Sequence, residues 1–151
     1  MNFDLVDRAK NYLLDKIGAG PNVAIIMGSG LSAVDEILAG PHRIHYMSIP
    51  HFPLPKVPGH RGQVVFGRVG KLQVVVFEGR VHSYEGNTMA EVTFCTRVIG
   101  RLGAKSLILT NASGAINPIP TGALVDSLIR STTRPVIVVG FPARTYLKML
   151  S

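Results

Sequence analysis

The chain has 151 residues, of which 46% are hydrophobic and 17% charged, so we expect one compact α/β domain rather than a disordered segment. Its net charge of +7 favours an anionic partner, but the basic residues are scattered, which argues against a nucleic-acid-binding protein. The single cysteine, Cys95, excludes an intramolecular disulfide, and no cysteine spacing indicates a metal site. We expect a cytoplasmic protein without a membrane segment, because the amino-terminal stretch is charged throughout and no apolar run is long enough to span a bilayer.

The first sixty residues predict a helix, a buried strand and a long loop. Apolar residues recur at helical spacing from 3 to 17, and Gly18 can end that helix. The run "VAIIM" at 23–27 is typical of a strand buried on both faces. It leads into "GSGLSA", after which a short helix is predicted over 32–38. Four prolines between residues 48 and 60 predict a long ordered loop or a mobile flap.

The next fifty residues predict a hairpin, a helix and a second buried strand. "GQVVFGRV" and "KLQVVVFE" flank a turn at Gly70. Thr88 and Glu91 form a capping-box pattern at the start of a helix that Gly103 can end. The apolar residues of that helix form one predicted buried stripe, consisting of Val92, Cys95, Ile99 and Leu102. With the strand "SLILT" at 106–110, this order of elements predicts a mixed sheet covered by helices.

The stretch "GRVHSYEG" at 79–86 carries Arg80, His82 and Tyr84 at every second position after an apolar strand. If the backbone stays extended, these three side chains leave the same face. Arginine suits a bidentate anion, histidine can donate or move a proton, and tyrosine offers a flat wall, so the pattern fits a ligand with phosphate and sugar parts. A polar edge strand that faces water is the alternative.

Two predicted strands end in small, glycine-bearing turns, "GSGLS" and "NASGA". Ligands of open α/β sheets bind at the carboxyl ends of strands, where backbone N–H groups and the hydroxyl of Ser29 can hold a phosphate. Ordinary tight-turn glycines are the alternative. The sequence lacks the lysine of a nucleoside-triphosphate loop and a complete dinucleotide fingerprint, so neither ATP nor NAD is indicated.

Four motifs, taken in order, resemble the trimeric class of purine nucleoside phosphorylases: "GSGL" at 28–31, "VPGHRG" at 57–62, "GRVHSYEG" at 79–86 and "TNASGAIN" at 110–117. The resemblance implies a nucleoside phosphorylase-like mixed β-sheet flanked by helices. It covers a core at 1–117 and ends after Asn117, where a divergent tail at 118–151 begins, so the chain looks truncated relative to the family.

The resemblance also implies roles for individual residues. Tyr84 matches the residue that packs on the ribose, and Glu85 matches the carboxylate that steadies the neighbouring histidine, so His82 and Glu85 are the catalytic candidates. The family's phosphate ligands match five positions, which are Ser29, His60, Arg80, His82 and the backbone N–H of Ala112. Inorganic phosphate is expected as a co-substrate, with no other cofactor and no metal.

The activity implied is phosphorolysis of purine (2′-deoxy)ribonucleosides to the free base and (deoxy)ribose 1-phosphate, by a homotrimer. The family holds the purine with residues from its later half, for which this sequence shows no counterpart. Whether this chain is an active enzyme is therefore left open. The alternative is a catalytically incompetent chain that binds phosphate or associates with full-length subunits.

Overall fold

The structure, a computed structural model, describes residues 3–28, 37–56, 59–111 and 136–140. Its helices are α1 (Phe3–Ile17), α2 (Met89–Val92) and α3 (Phe94–Leu102), and short 3-10 turns lie at Tyr46–Ser48 and Ser83–Glu85. Its strands are β1 (Val23–Met27), β2 (Ala39–His45), β3 (Gln63–Val69), β4 (Leu72–Glu78), β5 (Ser106–Asn111) and β6 (Val136–Gly140).

The six strands form one mixed sheet in the order β2-β3-β4-β1-β5-β6. Strands β2, β3 and β4 are antiparallel to their neighbours in the meander, and the hairpin predicted around Gly70 is present. Strand β1 lies between β4 and β5 and runs parallel to both. The predicted mixed sheet with flanking helices is thereby confirmed.

Hydrophobic side chains pack on both faces of the sheet. The larger cluster lies where α1 and α3 pack, and it includes the fully buried Leu13, Phe77 and Val98. A second cluster on the opposite face contains Val65 and Val76. This division follows from strand geometry, because adjacent residues of β3 and β4 point to opposite faces.

Strand β2 is an element that the sequence pattern did not predict. Its sequence, "AGPHRIH", contains a glycine and a proline, and Ile44 is its one buried residue. The register of its pairing with β3 shifts between Ala39 and His42. Both features are typical of an exposed edge strand, where burial imposes little pattern on the sequence.

The helix predicted over 88–103 is divided at Thr93, so the prediction of one continuous helix is wrong. The predicted capping box exists, with the Thr88 hydroxyl accepting the N–H of Glu91 at 3.3 Å. The Thr93 hydroxyl donates to the carbonyl of Met89 at 2.7 Å, and this kind of back-bonding bends or interrupts helices. Val92 is only half-buried, whereas the remaining stripe residues are buried as predicted.

Strand β6 extends the sheet beyond β5 with parallel pairing from Leu107–Val136 to Asn111–Gly140. The "VIVVG" segment of the predicted tail is therefore a strand of the same sheet. The short helix predicted over 32–38 falls mostly outside the described residues. Within the described part of the chain, no helix has the length and apolar character needed to cross a membrane.

Candidate anion-binding site

Three neighbouring strands bring their carboxyl ends to one edge of the sheet, because β4, β1 and β5 are parallel to one another. Gly28 follows β1, Gly79 and Arg80 follow β4, and Thr110 lies near the end of β5. The two glycine-bearing turns and the "GRVHSYEG" stretch therefore start at the same edge. This is the edge at which open α/β sheets bind ligands.

The hydroxyl of Thr110 joins the ends of β1 and β5. It accepts the N–H of Gly28 at 3.0 Å and donates to the carbonyl of Ile26 at 3.3 Å. These two bonds fix the direction in which the chain leaves β1. The sequence analysis placed Thr110 in a strand and in the motif "TNASGAIN" without giving it this role, although a hydroxyl that ends an apolar run beside a glycine turn is a signal for it.

The Arg80 guanidinium lies close to Gly28, the residue that follows β1. A Cβ atom placed on Gly28 would lie 3.2 Å from Arg80 Nη2 and 3.1 Å from the carbonyl oxygen of Thr110. Burial lowers the pKa of Arg80, and the nearby Tyr84 acts in the opposite direction. An arginine side chain nevertheless keeps its charge near neutral pH, so it supplies a partly buried cation beside Gly28.

His60, in the proline-containing loop, packs directly against the start of the "GRVHSYEG" stretch. Its Nδ1 atom lies 3.1 Å from the backbone nitrogen of Arg80 and 3.0 Å from the Arg80 carbonyl oxygen. When Nδ1 accepts the N–H of Arg80, Nε2 is the ring nitrogen that carries the proton and can donate it. This approach requires Gly79, because its φ is +116° and a Cβ there would lie 3.0 Å from the Cβ of His60.

His82 lies between His60 and Tyr84. Its ring centroid is 5.6 Å from that of His60 and 4.8 Å from that of Tyr84, with the His82 and Tyr84 rings stacked at 14°. The backbone is extended at His82, but Ser83–Glu85 forms a 3-10 turn. The expectation of an extended backbone through Tyr84 is therefore wrong, and the turn brings Tyr84 back onto the face of His82. Tyr84 is 75% exposed, so its ring is accessible to a ligand.

The pKa of His82 lies below its usual value of 6.5. Burial is the main cause, and the charges of Arg80 and His60 act in the same direction, while Glu85 opposes them. His82 is therefore neutral near pH 7 in the free protein and has one ring N–H to donate. A bound anion would favour its protonated form.

Glu85 holds His82 through the main chain. One carboxylate oxygen accepts the N–H of His82 at 2.5 Å, and the other accepts the N–H of Lys56 at 2.9 Å. Partial burial raises the pKa of Glu85, but these two hydrogen bonds and the charges of His82 and His60 outweigh it and leave the pKa below 4.5. Glu85 is thus a carboxylate at neutral pH that connects the loop of Lys56 and His60 to the turn carrying Tyr84.

Five of the predicted site residues come together at the end of β4: His60, Arg80, His82, Tyr84 and Glu85. Ser29 and Ala112, the other two predicted phosphate ligands, lie outside the described residues. Among the residues that are described, no three His, Cys, Asp or Glu side chains are grouped so that they could hold a metal ion. The cluster offers one arginine and two histidine rings, a set of N–H donors suited to an oxyanion.

Comparison with known proteins shows that the chain is similar to purine nucleoside phosphorylases in sequence and in structure. Purine nucleoside phosphorylase 1 of Geobacillus stearothermophilus is 40% identical over 117 residues, which are 78% of this chain and 43% of that protein. The purine nucleoside phosphorylase of Bos taurus is 43% identical over 115 residues, covering 76% of this chain and 39% of its own length. This chain therefore spans about two fifths of the length of these relatives.

Solved structures show the same likeness. A purine nucleoside phosphorylase in complex with ribose-1-phosphate superimposes with a TM-score of 0.68 at 35% identity, over 78% of this chain and 43% of that one. The sequence model of the phosphorylase superfamily matches residues 22–126, a segment that begins just before β1 and contains the whole cluster around Arg80. With this match over most of its length, the chain belongs to the phosphorylase superfamily.

Proposed function

We propose that this chain binds inorganic phosphate and takes part in the phosphorolysis of purine (2′-deoxy)ribonucleosides to the free base and (deoxy)ribose 1-phosphate. The observation that carries the proposal is that Arg80 lies beside Gly28 and that His60 contacts Arg80 and lies next to His82. The similar proteins named above are called purine nucleoside phosphorylases, and one was solved with ribose-1-phosphate.

In this proposal, the phosphate lies between the end of β4 and the two glycine-bearing turns. Arg80 supplies a fixed positive charge, and the ring N–H groups of His60 and His82 supply further donors. The hydroxyl of Ser29 and the backbone N–H of Ala112 complete the set. A net charge of +7 on the whole chain attracts the anion over a longer range.

The ribose would lie against Tyr84, whose exposed ring stacks on His82 at the border of the phosphate site. A phosphate oxygen forms a bond to C1′ while the bond from C1′ to the purine nitrogen breaks, and the purine leaves with the bonding electron pair. The chain contributes by holding phosphate in line with that bond and by stabilising charge as it separates. His82 would contact the phosphate, and Glu85 would keep His82 in position by accepting its backbone N–H.

The Arg80→Ala variant tests the phosphate site. Each charge-assisted hydrogen bond contributes about 1.5–3 kcal/mol, so losing one weakens binding by roughly 10- to 150-fold. We expect calorimetry to show a phosphate affinity at least about tenfold weaker in Arg80→Ala, with the melting temperature unchanged within about 2 °C. The matched control is Arg68→Ala, which removes an exposed arginine near the other end of β3 and should leave phosphate binding intact.

An assay with inosine and phosphate tests the chemical step on the same preparation. Phosphate-dependent release of hypoxanthine supports the proposal that the chain catalyses phosphorolysis. Phosphate binding without release supports the alternative of a phosphate-binding chain that is not itself catalytic. Wild-type phosphate affinity in Arg80→Ala would refute the assigned site.

Assembly and location belong to the same proposal. The homotrimer expected from the family resemblance can be checked by the mass of the assembly in light scattering. The cytoplasmic location can be checked by fractionation of cells that express the chain.

A further inference from the structure

A carboxyl side chain is buried at the end of β4, immediately before the proposed phosphate site. Glu78 is 5% exposed and is the one buried residue with an acidic side chain in the described part of the chain. The preceding residues on the same face of β4, Val74 and Val76, are apolar. Burial of a carboxylate costs stability unless it is well paired, so its presence at this position needs an explanation.

The partners of Glu78 lie on β3 and on the loop before it. Gln63 is directly opposite in the antiparallel ladder, and its Nε2 donates to Glu78 Oε2 at 2.5 Å. Arg61 Nη1 lies 3.6 Å from the same oxygen. The other oxygen, Oε1, has no hydrogen-bond partner among the described residues. An apolar pair would therefore suit the stability of the sheet as well as Gln63 and Glu78 do.

Gln63 and Glu78 instead lie next to two residues of the proposed anion site. His60 is three residues before Gln63, and Arg80 is two residues after Glu78. The N–H of Gly62 donates to the carbonyl of Glu78 at 2.8 Å, and His60 Nδ1 lies 3.1 Å from the nitrogen of Arg80. The segment from 60 to 63 is thus joined along its length to the segment from 78 to 80.

We propose that Glu78 is a positioning residue for the anion site. Its hydrogen bond with Gln63 fixes the two strand ends so that His60 stays beside Arg80 and both can reach the same anion. Glu78 acts through His60 and does not itself touch the ligand. The phosphate part of this inference rests on the function proposed above, while the effect on His60 and Arg80 does not.

The test is the double variant Gln63→Leu/Glu78→Met, which replaces the pair by apolar side chains of similar size. We expect a melting temperature equal to or above that of the wild type, because the buried carboxylate is gone. We also expect faster hydrogen exchange of the Arg80 amide, with exchange at Val76 unchanged. Phosphate affinity by calorimetry should fall by about tenfold or more, since small displacements of a site cost much of its function.

Two further variants complete the design. Glu78→Gln keeps an acceptor for Gln63, so it should retain the slow exchange of the Arg80 amide and most of the phosphate affinity. Thr96→Val removes a buried polar group on α3 and should change neither the exchange of the Arg80 amide nor the phosphate affinity.

The outcomes separate the two proposals. Slow exchange at Arg80 and wild-type phosphate affinity in the double variant would overturn the positioning role. A lowered melting temperature would also overturn it, since Gln63 and Glu78 would then serve stability. If the wild type binds no phosphate, the proposed function fails, and the exchange of the Arg80 amide alone decides the present inference.

Discussion

At the residue scale, Gly28 shows how little space separates the parts of the site. A Cβ atom placed on Gly28 would lie 3.2 Å from Arg80 Nη2 and 3.1 Å from the Thr110 carbonyl oxygen. Contacts this short are tolerated only if a neighbour moves. Arg80 is the flexible partner, since the Thr110 carbonyl belongs to a strand.

We predict that Gly28→Ala displaces Arg80 and weakens phosphate binding several-fold, roughly 3- to 10-fold, with a small effect on stability. Calorimetry with phosphate and a thermal melt of the same sample measure both quantities. Gly70→Ala is unsuitable as a control because its φ is +58°, whereas Gly100→Ala has open space and should not change phosphate affinity. Unchanged affinity in Gly28→Ala would mean that Arg80 does not depend on this close approach.

The spacing of Arg80, His82 and Tyr84 was compatible with one site or with a polar edge strand, and it did not indicate how Tyr84 reaches His82. The 3-10 turn at Ser83–Glu85 depends on the Glu85 carboxylate bonding back to the N–H of His82. Such a local bond competes with extended backbone and leaves no periodic trace in the sequence. Thr110 and Glu78 were missed for a related reason, since each looks like an ordinary end of an apolar strand until its partner is known.

At the element scale, the connection from α1 to β1 is packed tightly against the end of α3. A Cβ atom on Gly20 would lie 2.4 Å from the backbone carbonyl oxygen of Leu102. A backbone atom at the end of a buried helix cannot move as a flexible side chain can. The contact therefore fixes how the first helix and the third approach each other.

We predict that Gly20→Ala lowers the free energy of unfolding by about 1–3 kcal/mol, the usual cost of overpacking. Gly100→Ala is the matched control, because in the described part of the chain no atom outside the local backbone of α3 lies within 4 Å of the new methyl group. This variant should raise stability by about 0.5–1 kcal/mol. Urea unfolding of both variants gives the comparison. Equal stability of Gly20→Ala and the wild type would show that this junction can relax.

The elements that the sequence predicted well are those whose burial imposes a pattern. Strand β1 is a continuous apolar run, β5 has an apolar centre, and α1 shows helical spacing throughout. Strand β2 was missed because an exposed edge needs no apolar alternation, and only Ile44 points into the core. The break at Thr93 was missed because one hydroxyl decides it, within a sequence whose apolar spacing is helical on both sides.

At the scale of the whole molecule, the shifted pKa values define a pH range of maximum stability. The pKa values of His82, Glu85 and Glu91 are all below their usual values in the folded chain. At acid pH the unfolded chain therefore binds more protons than the folded chain does. Burial raises the pKa of Tyr46 and of Cys95, so the unfolded chain loses protons more readily in alkali. Stability therefore falls on both sides of a central range.

We predict that thermal stability is highest between about pH 6.5 and 9, the ordinary pKa values of histidine and cysteine. As the pH falls, stability should decrease first below 6.5, through His82, and again below 4.5, through Glu85 and Glu91. Melting curves from pH 3 to 10 measure this dependence. The variant His82→Asn should lose the decrease that begins below pH 6.5. A melting temperature of the wild type that increases as the pH is lowered from 6.5 to 5 would contradict the lowered pKa of His82.

The position of β1 in the sheet has a consequence for synthesis of the chain. This first strand forms its ladders with β4 and β5, and Val23 pairs with Val74 and with Ser106. Its second partner is 83 residues later, which at ordinary translation speeds corresponds to a delay of about 4–17 s. Throughout that interval the edge of "VAIIM" that β5 later covers has no hydrogen-bonded neighbour, and until Val74 is made the other edge has none either. Nascent chains that stop before Ser106 should therefore depend on chaperones more than the finished protein does.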